Sequence, residues 1–253
     1  MKKFPIIISI PHGGSFIPYD LKDDILLSPL DLLEDSDAFT QEIYDISDSA
    51  EYVIKANIAR AIVDLNRSIE QLPPEYPDGI IKSHTCYGKQ IYKNGKSPDL
   101  LKTKELINEY YLPYHEELKT ALISNNRIEL ALDCHSMAAV GPEISKDKGK
   151  KRPLMCLGNV WGQTCPTPII NHLSECFCQS FGFQTEDIQI NLPFAGGYIT
   201  KTYGKSRIPW IQVEMSRALY LSPQYFDSHT LKIDSNRLKE LNKMFHAGLS
   251  IFF

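Results

Sequence analysis

The sequence predicts an α/β fold of three layers, a central sheet with helices on both sides. Three observations carry that reading. Short β-branched runs alternate with longer stretches of helical spacing along most of the chain. The first run, Pro5-Ile-Ile-Ile-Ser-Ile10, is bounded by Pro and Gly and reads as a core strand. Polar residues suited to chemistry (His12, Asn66 with Arg67, His135, Glu214) each stand just past the apolar part of a run. That is where α/β sheets bind their ligands.

The elements follow in order. After the strand at 5–10, Asp31 to Ser47 spaces Leu32, Leu33, Phe39, Ile43 and Tyr44 as one helix would. Tyr52 to Ile58 and Ala61 to Leu65 read as two short strands. Residues 68–98 hold Pro73, Pro74, Pro77 and Pro98 with Gly79, Gly88 and Gly95. This is a long turn-rich excursion, and such excursions are usually functional or mobile. Thr103 to Ser124 is the clearest helix. Ile128 to Leu132 is a strand that ends in Asp-Cys-His-Ser, 141–152 an exposed loop rich in Gly and Lys, and Pro153 to Gly158 a strand. Thr167 to Phe181 is a helix in which Thr167 caps and Pro168 takes the first helical position. Pro209 to Met215 is the last strand and Asp234 to Phe253 the last helix. There are no repeats and no convincing linker, so the expectation is one domain, 1–253.

Composition narrows the function. Of 253 residues, 43% are hydrophobic and 23% charged, and aromatic residues are plentiful, which excludes disorder. A net charge of −4 disfavours a nucleic-acid binder, whose affinity needs a clustered positive surface. No run approaches the roughly 20 apolar residues of a membrane span. The first residues read as a strand and not as a leader, because His-Gly-Gly interrupts the apolar run early. The six cysteines show neither a zinc-ribbon spacing nor a small secreted framework, and a cytoplasmic location with reduced thiols is expected.

Two motif fragments are discarded. Gly204-Lys-Ser206 ends like a phosphate-binding loop, but Ile199 stands where that loop needs Gly. His12-Gly-Gly-Ser15 resembles a lipase oxyanion loop, yet no G-x-S-x-G nucleophile elbow is present. G-x-G-x-x-G is absent as well.

The remaining polar residues form a pattern. In Leu132-Asp-Cys-His-Ser136, the strand period puts Asp133 and His135 on one side. A carboxylate beside a His is the usual partner of an imidazole that binds a metal. His12 is a second His at a strand end. Two His and a carboxylate, with an open position for water, make a catalytic zinc site, although a lone His is more often a plain core or surface imidazole. Glu214 lies in an apolar strand and there has either a partner such as Arg217 or a raised pKa. Beside a metal it is a natural general base. Arg60, Asn66 and Arg67 crowd one short segment, and an Arg fork with an Asn donor suits a small acidic substrate, although Arg is usually a surface charge.

These segments together resemble the N-formylglutamate amidohydrolase family. The matching stretches are Ser9-Ile-Pro-His-Gly-Gly-Ser15, Glu34-Asp-Ser-Asp37, Ala59-Arg-Ala-Ile-Val-Asp-Leu-Asn-Arg67, Tyr111-Leu-Pro-Tyr-His115, Leu132-Asp-Cys-His-Ser136, Gly196-Gly-Tyr-Ile-Thr200 and Gln212-Val-Glu-Met215. They fall in order over most of the chain. The family looks distantly similar to zinc carboxypeptidases and aspartoacylases, which implies a mixed central sheet of that kind.

The resemblance implies a Zn2+ amidohydrolase that cleaves N-formyl-L-glutamate, late in histidine degradation. The alternatives are a zinc amidase or peptidase for another N-acyl amino acid or small peptide, and a non-catalytic binding protein. His12 and His135 would hold the metal. The distant relatives have a Glu three residues after the first His, where Ser15 stands here. Asp37 is the chosen third ligand, with Asp35 and Glu34 as alternatives. Glu214 would be the general base and Arg60 the oxyanion donor. Asn66 and Arg67 would hold the α-carboxylate, and Tyr198 or Lys201 the distal one. One departure from the family pattern is Ala38, where a Trp is expected after Asp37. A small-molecule substrate with carboxylates is the implied partner, with neither nucleic acid nor membrane.

Overall fold

A computed structural model describes residues 3–143 and 145–253. The first strand, β1, is Phe4–Ile10. Two short helices follow, α1 at Pro29–Asp35 and α2 at Thr40–Tyr44, and then β2 at Ala50–Lys55. After a long irregular excursion come α3 at Leu100–Leu106, a π-helical turn at Ile107–Tyr111 and α4 at Leu112–Ser124. Then follow β3 (Leu130–Met137), β4 (Met155–Gly158), α5 (Thr167–Phe181), β5 (Ile188–Ile190), α6 (Tyr198–Tyr203) and β6 (Trp210–Ser216). A two-residue ladder, β7 (Phe226–Asp227) with β8 (Lys232–Ile233), precedes α7 at Ser235–Phe252.

The main sheet runs β2-β1-β3-β6-β4-β5. It is mixed, because β4 lies antiparallel to β6 while the other pairs are parallel. Every residue of β3 and β6 is buried, as central strands covered on both faces must be. On one face Ile8, Leu132 and Val213 pack against Phe177 of α5 and Leu241 and Phe245 of α7. On the other face Ile7, Ala131 and Trp210 meet Leu106, Leu118 and the buried segment Ile58–Leu65. These are the three layers that the sequence predicts.

Several elements differ from expectation, each for a physical reason. The helix expected over 31–47 is two helices. The first carries a capping box between Ser28 and Asp31, and the chain then turns at 36–39, with Phe39 left-handed at φ 64°. The Asp37 N–H bonds to the His12 carbonyl at 3.0 Å and not to its own helix. Ala61–Leu65, expected as a strand, is a buried turn whose Asp64 N–H is taken by the Ile80 carbonyl. Its apolar residues face a core without joining the sheet, a distinction that short apolar runs do not make. Pro166, not Thr167, occupies the N-cap of α5. β5 and α6, three and six residues long, are too short to show a periodicity in the sequence.

Candidate metal centre and active-site cleft

The C-terminal ends of β1, β3 and β6 lie side by side, and the parallel register pairs His135 with Glu214 and Asp133 with Gln212. His12 follows β1 by two residues. The turn between α1 and α2 carries Asp37 over this edge, anchored by its bond to the His12 carbonyl.

His12 Nδ1 lies 3.3 Å and His135 Nδ1 2.8 Å from Asp37 Oδ2. The donor atoms of the three residues lie within 4.8 Å of one another, and all three residues are buried. The far nitrogen of each ring has its own carboxylate. His12 Nε2 donates to Asp64 Oδ1 at 2.7 Å, and His135 Nε2 faces Asp133 Oδ1 at 3.2 Å. The Nε2 proton of His12 leaves a lone pair on its Nδ1, aimed at a carboxylate oxygen, and His135 presents the same lone pair whenever its proton sits on Nε2 toward Asp133. Acceptors facing acceptors repel unless a cation or protons sit among them, so the donor set fits a metal ion.

The electrostatics agree. Burial alone would raise the Asp37 carboxyl, but hydrogen bonds from His12 and His135 hold it well below its ordinary value. Burial would lower His135, but the charge of Asp133 raises it well above the usual imidazole value. Asp64 is held low against its burial by His12, Arg67 and Arg60. Glu214 is pushed up to about 7, first by burial and then by its acidic neighbours, against the pull of His135. Its Oε1 accepts from Gln212 Nε2 at 2.8 Å.

One cleft of about 900 Å3 is lined by His12, Asp37, Arg60, Asn66, Arg67, His135, Tyr198, Lys201 and Glu214. The structure therefore brings together every residue expected at the site. The two alternative carboxylates fall elsewhere. Asp35 is fully buried against Lys82 at 2.9 Å, and Glu34 lies near Lys89 at the surface. Arg60 spends Nε on Asp64 at 3.0 Å and Nη1 on the Asp35 carbonyl at 3.2 Å. Asn66 Oδ1 accepts from the Ile199 N–H at 2.7 Å, which docks the start of α6 on the cleft. Its Nδ2 lies 3.1 Å from His135 Nε2. At 197 a Cβ would stand 2.4 Å from Asn66 Nδ2, so any larger residue forces Asn66 or the backbone to shift.

Sequence reasoning missed several residues. Arg217 does not pair with Glu214. It donates to Asp37 Oδ1 at 3.2 Å, to the Ser36 carbonyl at 2.5 Å and to Ser136 Oγ at 3.0 Å. Asp64 carried a signal, lying two residues before Asn66 and four after Arg60. Lys82 and Asp78 carried none, because the excursion has no periodicity from which a buried cation could be read.

The sequence model of the N-formylglutamate amidohydrolase family matches residues 4–221. This chain belongs to that family. It is an amidohydrolase by membership, and its segments at 9–15, 59–67, 132–136 and 212–215 are those that build the cleft. An N-formylglutamate deformylase of Pseudomonas putida is 26% identical over 230 residues, 87% of this chain and 82% of its own length. A crystal structure of an N-formylglutamate amidohydrolase from Ralstonia eutropha shares the fold at a TM-score of 0.81 and 21% identity, covering 100% of this chain and 94% of its own. A gene product from Agrobacterium tumefaciens aligns at 0.63 and 13% identity, covering 99% and 91%. No helix among the described residues is long and apolar enough to cross a membrane.

Proposed function

We propose that this chain, as one catalytic domain, uses Zn2+ to hydrolyse N-formyl-L-glutamate to formate and L-glutamate. The convergence of His12, Asp37 and His135 beside the buried Glu214 carries the reading. Two imidazoles and a carboxylate are a donor set that suits zinc, with a position left for water or substrate.

Bound there, Zn2+ would acidify water and polarise the amide carbonyl. Asp64 keeps the ring proton of His12 on Nε2, so its Nδ1 stays available, and Asp133 stands 3.2 Å from His135 Nε2 to favour the same tautomer there. Glu214 takes a proton from the attacking water and returns it to the leaving amine nitrogen. Gln212 holds Oε1, which leaves Oε2 for that transfer. Arg60 has its Nη2 uncommitted among the described residues and donates it to the developing oxyanion. Asn66 and Arg67 hold the α-carboxylate, and Tyr198 and Lys201 take the distal one.

Formate release by zinc-loaded protein tests the substrate. A second reading, a larger N-acyl amino acid, is favoured by the size of the cleft and by its apolar wall of Met137, Ala138, Pro193 and Phe194. A one-carbon acyl group needs neither. A panel of N-acyl amino acids separates the two, because a strong preference for longer acyl groups would displace the formyl reading. Formyl-amino-acid hydrolysis fits a place in histidine degradation. Six free thiols fit a reducing cytoplasm.

A further inference from the structure

We propose that Asp78 is a positioning residue for substrate binding: with Lys82 behind it, it sets the Arg67 guanidinium for a carboxylate. This rests on the reading of Arg67 as a substrate-carboxylate donor.

Arg67 does not reach into the cleft unsupported. Its Nε donates to the Asp78 carbonyl at 3.0 Å and its Nη2 to Asp78 Oδ2 at 2.9 Å. Asp78 therefore occupies the side edge of the guanidinium. The end edge, Nη1 with the second N–H of Nη2, has one long contact, to the Asn66 carbonyl at 3.5 Å. Arg67 lines the cleft, and a planar fork held along one edge presents the other edge ready to meet a carboxylate.

Asp78 is itself fixed. Its Oδ1 lies 2.9 Å from Lys82 Nζ as an ion pair, and that ammonium donates its hydrogen bonds to both oxygens of Asp35, at 2.9 and 3.0 Å. Lys82 and Asp35 are both fully buried at the side chain. Asp35 further accepts the Cys86 N–H at 2.7 Å. Beside Asp78, Gly79 turns so tightly that a Cβ there would stand 2.0 Å from the Gln71 carbonyl. The chain Arg67–Asp78–Lys82–Asp35 thus ties the excursion to the helix that precedes Asp37. A buried lysine without its carboxylates would be costly, which explains the closed network in an otherwise irregular segment. Holding the guanidinium in advance spares its ordering cost when substrate binds.

The opposite role is an inhibitory one, with Asp78 competing for the fork that substrate needs. The two roles predict opposite signs for Asp78→Ala, a change at a half-exposed side chain that leaves Lys82 paired to Asp35. Steady-state kinetics on the zinc-loaded enzyme with N-formylglutamate read the sign. KM is expected to rise about tenfold or more, with kcat within threefold and metal content unchanged. A double-mutant cycle with Arg67→Ala is expected to show that Asp78→Ala adds little once the guanidinium is gone. An unchanged or lower KM, an additive cycle, or a parallel loss of kcat and metal would each overturn the proposal. If wild type releases no formate, the substrate reading fails on its own. The same cycle is then read in the dissociation constant of glutarate by calorimetry, where weaker binding coupled to Arg67 upholds the positioning role and unchanged or additive binding removes it.

Discussion

Arg217 donates to Asp37 Oδ1 at 3.2 Å, while the other oxygen of the same carboxylate faces both imidazoles. One arginine at the end of β6 thus divides Asp37 into an anchored oxygen and one turned to the two imidazoles. It also holds the Ser36 carbonyl, so it fixes the turn that delivers Asp37.

Arg217→Met should therefore weaken metal binding without removing a ligand. We expect zinc affinity to fall about tenfold or more in chelator competition, in the range for residues that orient ligands. His135→Ala should lose the metal outright, as plasma mass spectrometry on the purified protein would show. An Arg217→Met protein that keeps wild-type affinity would remove Arg217 from the site.

Glu214→Gln keeps shape and removes the proposed base. Zinc content should be unchanged and kcat should fall at least 100-fold, the usual scale for a general base. The base must be ionised, so rate falls as pH drops through its pKa. Burial places that value at about 7 in the metal-free protein, and a bound cation draws it lower. The acid limb of kcat/KM should thus lie below pH 7 in wild type and be absent in the variant. An acid limb that survives in Glu214→Gln would assign the base elsewhere.

Gly197→Ala sets a methyl group 2.4 Å from Asn66 Nδ2. Either Asn66 or the start of α6 must shift. KM should rise severalfold with metal retained, because Asn66 meets His135 only at Nε2, away from the Nδ1 that faces Asp37. Unchanged kinetics would show that the contact relaxes at no cost to binding.

His115 should make the fold sensitive to acid. It is buried, donates from Nε2 to the Leu65 carbonyl at 3.0 Å, and lies 2.8 Å from Tyr203 Oη. Burial lowers its pKa from 6.5 to about 4. Above pH 6.5 neither state holds the proton and nothing is lost. Between 6.5 and 4 the unfolded chain binds it while the fold does not, so stability falls with pH, by ~3 kcal/mol once the window is crossed. Urea titrations of metal-free protein at pH 7 and 4.5 should show a smaller difference in His115→Gln than in wild type. An equal difference would place the acid sensitivity in other groups.

The sequence alone determined the layers, most of the strands and which residues gather in the cleft. β1, β3 and β6 are short β-branched or apolar runs whose pattern is local, so their ends, and with them His12, His135 and Glu214, could be located by counting. The resemblance of the flanking segments then supplied the reaction class. Ala61–Leu65 reads as a strand because a buried turn and a buried strand look the same over five residues, four of them apolar.

The tertiary structure alone decided which carboxylate meets the imidazoles and what holds each cation. Glu34, Asp35 and Asp37 look alike in sequence. Asp37 reaches the edge because its N–H bonds across to His12, while Asp35 turns to Lys82. His135 is 98 residues from Asp37 and Arg217 is 180. No local periodicity encodes such pairings. They exist because burying a charge is tolerable only where the folded chain brings a partner to it.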